Sequence, residues 1–140
     1  MSIDWSRTIT AEARAAAALE AAKAEARVTL AAAVTAARAA LITDLPGQSM
    51  IYLAKEAEAR AWMADPTPDP AAYPLLSAEL GITAPDGASL AQIWLNLATL
   101  WRSTAADLEA LRLTTRAAID AATTVEEVGA AVSQLVQVQG

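Results

Sequence analysis

The chain has 140 residues, of which 55% are apolar, a formal net charge of −6, and neither cysteine nor histidine. The acidic balance argues against a nucleic-acid partner, because phosphate groups are bound by clustered Lys and Arg. The missing side chains exclude disulfides, thiolate or imidazole metal sites and His-dependent catalytic triads, and they favour a protein that is not an enzyme and has no cofactor or metal.

Membrane insertion is also not expected from the sequence. The longest stretch without a charged residue is Gly87 to Trp101, fifteen residues that include Ser, Gln, Asn and Thr. A membrane-spanning helix needs about 20 mostly apolar residues. Residues 1–7 lack the basic and apolar regions of a secretion signal. We therefore expect no membrane insertion.

The first predicted helix is long and rich in alanine. Thr10 is a suitable N-cap, and strong helix formers continue without Gly or Pro to Thr43. Leucines recur every eleven residues on one face, and this period gives a nearly straight apolar stripe. The stripe contains Leu19, Ala22, Ala26, Leu30, Ala33, Ala37 and Leu41.

A second helix is predicted from an N-cap at Ser49 to about Ala64, after a turn at 44–48. Its predicted apolar face consists of Met50, Leu53, Ala57 and Ala61. At about 24 Å it is too short to cover the stripe of the first helix. The part left over is expected to contact another protein chain, and the predicted partner contacts are Trp5, Leu19, Ala22, Ala26 and Leu30.

The segment 65–73 contains three prolines in five residues and predicts a stiff connector. It divides the chain into a predicted N-terminal helical hairpin at 1–64, for oligomerisation or docking, and a helical module at 74–140. In the module, a short helix from Pro74 ends before Gly81. Two further helices are predicted after capping boxes at Ser89 with Gln92 and at Thr124 with Glu127.

The helix after Ser89 has the clearest periodicity in the chain. Apolar residues occupy heptad positions and predict a buried core seam. The seam contains Leu90, Trp94, Leu97, Trp101, Leu108 and Leu111. Burial of both Trp94 and Trp101 is favoured over the alternative, an exposed binding patch.

Two groups of charged residues are candidates for chemical sites. Lys55, Glu56, Glu58 and Arg60 could form an acid–base cluster, but i and i+2 neighbours do not share a helix face, and Glu56 with Arg60 is an ordinary i,i+4 surface pair. Carboxylates at Asp65, Asp69 and Asp86 could bind calcium, but the EF-hand pattern is missing and Asp beside Pro or Gly is common in turns. No catalytic or metal-binding residue is predicted.

Four segments stand out in the chain: Ile3-Asp-Trp-Ser6, Thr8-Ile-Thr-Ala-Glu12, Tyr73 to Ile82, and Trp101 followed by Leu111 to Ile119, together about half of the chain. These segments resemble a family of small proteins encoded beside tail-fibre genes in bacteriophages and prophages. The resemblance implies tail components or tail-fibre assembly factors, located in the virion tail after assembly in the bacterial host cytoplasm. Longer members have a β-rich fibre-tip domain that this chain lacks. No catalytic residues are implied.

The sequence and the resemblance together predict an all-α protein with a hairpin, a connector and a helical module that contains a second long helix. We expect a tail-associated structural or adaptor protein that acts through helix–helix contacts, as a homo-oligomer, with phage tail proteins, or both. One alternative is a transient tail-fibre assembly chaperone. Another is a small ligand-binding or regulatory helical subunit.

Overall fold

A computed structural model of the chain describes the backbone of residues 10–42 and 47–138 and the side chains of these ranges as far as residue 135. These residues form five α-helices, α1 (Ala11–Ala39), α2 (Gln48–Ala64), α3 (Pro74–Glu79), α4 (Gly87–Ala121) and α5 (Val125–Val138), and a 3-10 turn at Pro70–Ala72. The described ranges contain no β-sheet. The predicted all-α fold with two long helices is confirmed. Trp5 and the predicted turn residues 44–46 lie outside the described residues.

Two of the predicted helix caps are confirmed. The hydroxyl of Thr10 accepts a 3.0 Å hydrogen bond from the backbone N–H of Ala13. At the start of α5, Thr124 accepts from the N–H of Glu127 at 3.2 Å, and the Glu127 carboxylate accepts from the N–H of Thr123 at 2.7 Å. Each contact satisfies an N–H group that the helix itself leaves without a partner.

The other two predicted caps are wrong. Helix α2 begins at Gln48, and its N-cap is Gly47 with φ of 79°, a left-handed conformation that glycine adopts without strain. Helix α4 begins at Gly87, and the carboxylate of Asp86 accepts from the N–H and the hydroxyl of Ser89, at 2.8 and 3.0 Å. The helices therefore begin two and three residues earlier than predicted, respectively.

The chain divides into two compact units. Unit 1 is Met1–Ala37 with Leu108–Gly140, and unit 2 is Arg38–Asp107. This division differs from the predicted one, because the Pro-rich segment lies inside unit 2. There the Asp65 carboxylate accepts a 3.0 Å hydrogen bond from the Tyr73 hydroxyl, and the rings of Trp62 and Tyr73 meet edge to face at 5.1 Å. These contacts tie both ends of the segment together.

The core of unit 1 buries the middle of the apolar stripe of α1, whereas Leu41, at the end of the predicted stripe, lies beyond α1 and is exposed. Ala26, Leu30 and Val34 pack with the end of α4 and with α5, and Leu19 and Ala22 are partly buried against the same cluster. The prediction that Ala26 and Leu30 contact another chain is therefore wrong, whereas for the half-buried Leu19 and Ala22 it stays a prediction. The reason is that α4 and α5, which are distant in sequence, cover the stripe that α2 is too short to cover.

Polar contacts fasten α1 to the end of α4 within unit 1. Lys23 is buried, and its Nζ donates a 3.0 Å hydrogen bond to the backbone carbonyl of Asp120. The Asp120 carboxylate pairs with Arg27 at 2.7 Å and with Arg116 at 3.3 Å. Carbonyls in the last turn of a helix lack partners within the helix, and cations there are favourable.

The core of unit 2 is formed by α2, α3, α4 and the segments between them. Its buried apolar residues are Ala59, Trp62, Tyr73, Leu76, Ala84, Leu90, Ala91 and Trp94. Helix α2 therefore faces inward with Ala59 and Trp62, one turn apart, and with Glu56. The predicted apolar face of α2, which includes Met50 and Leu53, is exposed instead.

Candidate functional site

Exposed apolar side chains are concentrated in unit 2. Of the fourteen large hydrophobic residues that are exposed in the described part of the chain, eleven lie in unit 2. Nine of them are on α2 and α4, namely Met50, Ile51, Tyr52, Leu53, Met63, Ile93, Leu97, Leu100 and Trp101. Soluble proteins rarely expose large contiguous apolar patches, and such patches mark interaction sites.

Many of these side chains border one apolar groove, which runs between α2 and the first half of α4 and has a volume of about 380 Å³. Its apolar lining consists of Leu41, Ile42, Tyr52, Leu53, Ile93, Trp94, Leu97, Ala98, Leu100 and Trp101. Its polar lining consists of Ser49, Lys55, Glu56, Glu79, Thr83 and Arg102. Every lining residue belongs to unit 2.

The structure divides the predicted core seam. Leu90, Trp94 and Leu108 are buried, and Leu111 is half-buried in unit 1. Leu97 and Trp101, however, are 57% and 41% exposed, so their predicted burial is wrong. Trp94 packs in the core of unit 2 with Leu76 and Leu90, whereas one heptad later Trp101 borders the groove. Trp101 therefore matches the alternative to burial, an exposed position on the surface.

Ile93 and Leu100 were not recognised from the sequence as surface residues of interest. The sequence does contain an indication of this exposed apolar surface, namely the fifteen uncharged residues from Gly87 to Trp101. Leu97 is four residues after Ile93 and three before Leu100, so the three share a helix face. This face adjoins the one that carries Leu90 and Trp94. A helix that is apolar over two adjacent faces has more apolar surface than one packing partner covers.

One end of the groove contains a polar cluster around Glu79. Its carboxylate pairs with Lys55 and accepts hydrogen bonds from the Thr83 hydroxyl at 3.1 Å and from the indole Nε1 of Trp94 at 3.3 Å. The Nζ of Lys55 also lies 5.0 Å from the centre of the Trp94 ring, within cation–π range. Burial alone would raise the pKa of Glu79, but the hydrogen bonds and the charge of Lys55 outweigh it and lower the pKa.

A second polar cluster joins α2 to α4. The carboxylate of Glu56 pairs with Arg60 on its own helix at 2.9 Å and with Arg102 on α4. Burial would raise the pKa of Glu56, but the two guanidinium groups outweigh it and hold the pKa below its ordinary value. The predicted i,i+4 pair is present, although Glu56 is buried and not on the surface as expected.

Glu58 has a third kind of partner. Its two carboxylate oxygens accept hydrogen bonds from the backbone N–H groups of Leu75 and Leu76, at 3.1 and 2.8 Å. It therefore caps the N-terminus of α3 from a different helix, where a negative charge is favourable. The charged residues at 55–60 thus bind three separate parts of unit 2 and do not converge on one point.

The carboxylates in turns have local partners. Asp65 accepts from the N–H of Thr67 at 2.9 Å, Asp69 from the N–H of Ala71 at 3.0 Å, and Asp86 caps α4. Within the described ranges, no three residues of the metal-binding types are grouped together. These Asp side chains act as the turn and cap residues that their positions beside Pro and Gly predict.

No helix in the described ranges is both long and apolar enough to cross a membrane. No protein-family model matches the chain, and neither a curated protein nor a solved structure is significantly similar to it.

Proposed function

We propose that the chain is a structural or adaptor protein that binds another protein chain through the apolar groove of unit 2. The observation that carries the proposal is the concentration of exposed large hydrophobic residues in unit 2, eleven of the fourteen in the described ranges, of which seven line this groove. Exposed apolar area costs free energy in water at about 25 cal/mol per Å². A partner that covers the groove recovers this free energy.

The residue types around the groove support a protein partner. Cores of protein interfaces are enriched in aromatic residues, Met and Arg and depleted of Lys, Glu and Asp. The groove lining contains Trp101, Tyr52 and Arg102, and Met50, two residues before Tyr52 on α2, is exposed. The two carboxylates in its lining, Glu56 and Glu79, already bind cations of unit 2.

The bacteriophage tail is the setting that we propose, on the resemblance of residues 3–12, 73–82 and 111–119 to tail-associated proteins. In this setting the chain is a permanent tail component that joins protein chains, and it has no enzymatic role. A transient tail-fibre assembly chaperone uses the same surface but leaves before the particle is complete. The two roles differ in whether the chain is found in finished particles.

Analysis of purified particles tests the proposal. Particles are prepared from cells that encode the wild-type chain, the Leu97→Glu variant or the control variant Leu113→Glu, and their proteins are quantified by mass spectrometry. Position 113 is as exposed as position 97 but lies in unit 1. We expect wild type and Leu113→Glu in the particles and Leu97→Glu depleted from them.

Two other results lead to different conclusions. If tails fail to assemble without the gene and the chain is nevertheless absent from finished particles, the chaperone role replaces the structural one. If tails assemble normally in cells without the gene, and particles from cells with the wild-type gene do not contain the chain, the proposed role in tails is wrong.

A second candidate function is the binding of a small apolar ligand. The groove volume of about 380 Å³ falls within the range of ligand sites, and such sites combine apolar walls with a few polar groups. The polar groups here are Lys55, Glu79 and Thr83 at one end. Binding of an environment-sensitive apolar dye, abolished by Ala98→Trp but retained in Leu113→Trp, would favour this function.

A further inference from the structure

The exposed hydrophobic residues of unit 2 form two adjacent ridges with the groove between them. On α4, Ile93, Leu97 and Leu100 are 37%, 57% and 64% exposed and share one face. On α2, Met50 and Leu53 are 74% and 64% exposed, one turn apart. A surface with both a groove and ridges can be complementary to itself, because a two-fold axis places a ridge of each copy over the groove of the other.

The charge distribution favours pairing of this surface with itself. The chain has a net charge of −6, so most approaches of two copies bring carboxylates together. Around the groove, however, the segments 48–54 and 87–101 contain no charged residue. Two copies that meet here therefore bring few like charges into contact.

The charged residues at the margins are already balanced within each copy. Lys55 pairs with Glu79, and Arg60 and Arg102 share Glu56. A second copy thus needs no charged group to neutralise this surface. A partner that carried charges toward the groove would have to desolvate them against Leu97 and Leu100, which is unfavourable.

We infer that the apolar groove of unit 2 is the interface of a two-fold symmetric dimer, in which α2 and α4 of one copy pack against α2 and α4 of the other. The inference rests on the proposal that the groove binds protein, and it names a second copy as the partner. Two helices from each copy then form a four-helix arrangement around a shared apolar centre.

The size of the surface sets the expected strength of the dimer. The exposed ridges extend about 5 Å along α2, from Met50 to Leu53, and about 10 Å along α4, from Ile93 to Leu100, which corresponds to an area on the order of a few hundred Å² per copy. Stable interfaces bury about 800 Å² per partner. We therefore expect a weak dimer, with a Kd in the micromolar range or above.

Sedimentation velocity of the full chain from about 1 μM to about 1 mM tests the inference, because this range covers the Kd of a weak dimer. The variants are Leu97→Glu and Leu100→Glu in the groove, with Val28→Glu and Leu113→Glu as controls that are similarly exposed in unit 1. All four sites are exposed, and circular dichroism verifies that each variant remains helical. We expect a monomer–dimer equilibrium that does not proceed to larger species.

The groove variants should weaken the dimer at least about tenfold, whereas the controls should leave its Kd unchanged. A wild-type chain that remains monomeric over the whole range overturns the inference. So does a dimer that is weakened by Leu113→Glu or Val28→Glu but not by the groove variants, because its interface is then in unit 1. Association beyond the dimer also overturns it, since a two-fold interface closes at two copies.

Failure of this inference is distinguishable from failure of the proposed function. If wild type is monomeric but Leu97→Glu is still lost from purified particles, the groove binds a different protein and only the dimer is wrong. If the dimer forms and depends on Leu97, but the variant enters particles as wild type does, the dimer stands and the groove does not attach the chain to the tail.

Discussion

The indole ring of Trp62 packs directly against the α-carbon of Gly87, the first residue of α4. A β-carbon at position 87 would lie 2.1 Å from Cζ2 and 2.6 Å from Cε2 of that ring, closer than carbon atoms can approach. Both residues are buried in unit 2. Glycine is required here for space, because the tryptophan occupies the place of any side chain.

The Gly87→Ala substitution is therefore expected to destabilise unit 2. The added methyl group must displace Trp62, and overpacking of this kind costs about 1–3 kcal/mol. Gly129 in α5 is the matched control, since nothing lies within 4 Å of a β-carbon there. Gly129→Ala should instead stabilise by up to about 1 kcal/mol, from helix propensity. Urea denaturation of both variants measures the two opposite effects, and equal signs would contradict the packing described for Gly87.

The two tryptophans of α4 should respond differently to truncation. Trp94 is 6% exposed, and Trp94→Ala should cost about 3–5 kcal/mol. Trp101 is 41% exposed, so Trp101→Ala should cost only on the order of 1 kcal/mol. Denaturation midpoints at low micromolar concentration measure folding without the contribution of association. Similar losses for both variants would show that Trp101 is buried in the folded monomer.

Helix α1 allows a comparison of one substitution at two positions. Ala26 is 5% exposed in the core of unit 1, so Ala26→Glu places a carboxylate among Leu30, Ile119 and Leu135. We expect a loss of about 3 kcal/mol or more, because a buried charge without a partner is costly. Ala32→Glu on the exposed side of the same helix should have little effect. Thermal unfolding followed by helical circular dichroism measures both, and a stable Ala26→Glu variant would mean that α1 does not pack as described.

Acid should weaken unit 2 through two carboxylates, the buried Glu56 and the half-buried Glu79. The pKa values of Glu56 and Glu79 lie below the ordinary value of 4.5. Between the folded and unfolded pKa values the unfolded chain binds more protons, so the stabilisation is complete above about pH 4.5 and is lost as the pH falls through the folded pKa. Trp62, Trp94 and Trp101 all belong to unit 2, and their fluorescence reports its unfolding.

The Glu79→Gln variant isolates one of these carboxylates. It should be less stable than wild type at neutral pH and should lose less stability on acidification, because Gln does not titrate. Glu20→Gln on the exposed side of α1 is the control and should follow the wild-type pH dependence. Identical pH profiles for Glu79→Gln and wild type would exclude the Lys55–Glu79 pair as a source of acid sensitivity.

Element type was predictable from this sequence, whereas packing partners were not. Prolines and glycines limit the helices, so their number and approximate bounds follow from local chemistry. The packing partners could not be predicted because alanine is present on every face of α1 and α2. Hydrophobic periodicity is then a weak guide to which face is buried. In α2 the pattern Met50, Leu53, Ala57 is as regular as Ala59 and Trp62, and only the fit of Trp62 against Gly87 and Tyr73 decides between them.

The candidate site was missed for a related reason. A heptad pattern predicts which residues share a face, but it does not predict where the covering helix ends. Trp94 is covered in the core of unit 2, and Trp101, two turns later, is not. The Glu58 contact with the start of α3 was also unpredictable, because it joins residues 17 and 18 positions apart in sequence.

The successive polar contacts of α2 fix its rotation about its own axis. Lys55 is bound to Glu79, Glu56 to Arg102 on α4, and Glu58 to the start of α3, within a single turn of the helix. Rotation of α2 that turned Met50 and Leu53 inward would break all three contacts at once. The exposed apolar face is thus held toward solvent by the fold itself. It is a persistent feature of the folded chain, available to a partner without prior rearrangement of the helix.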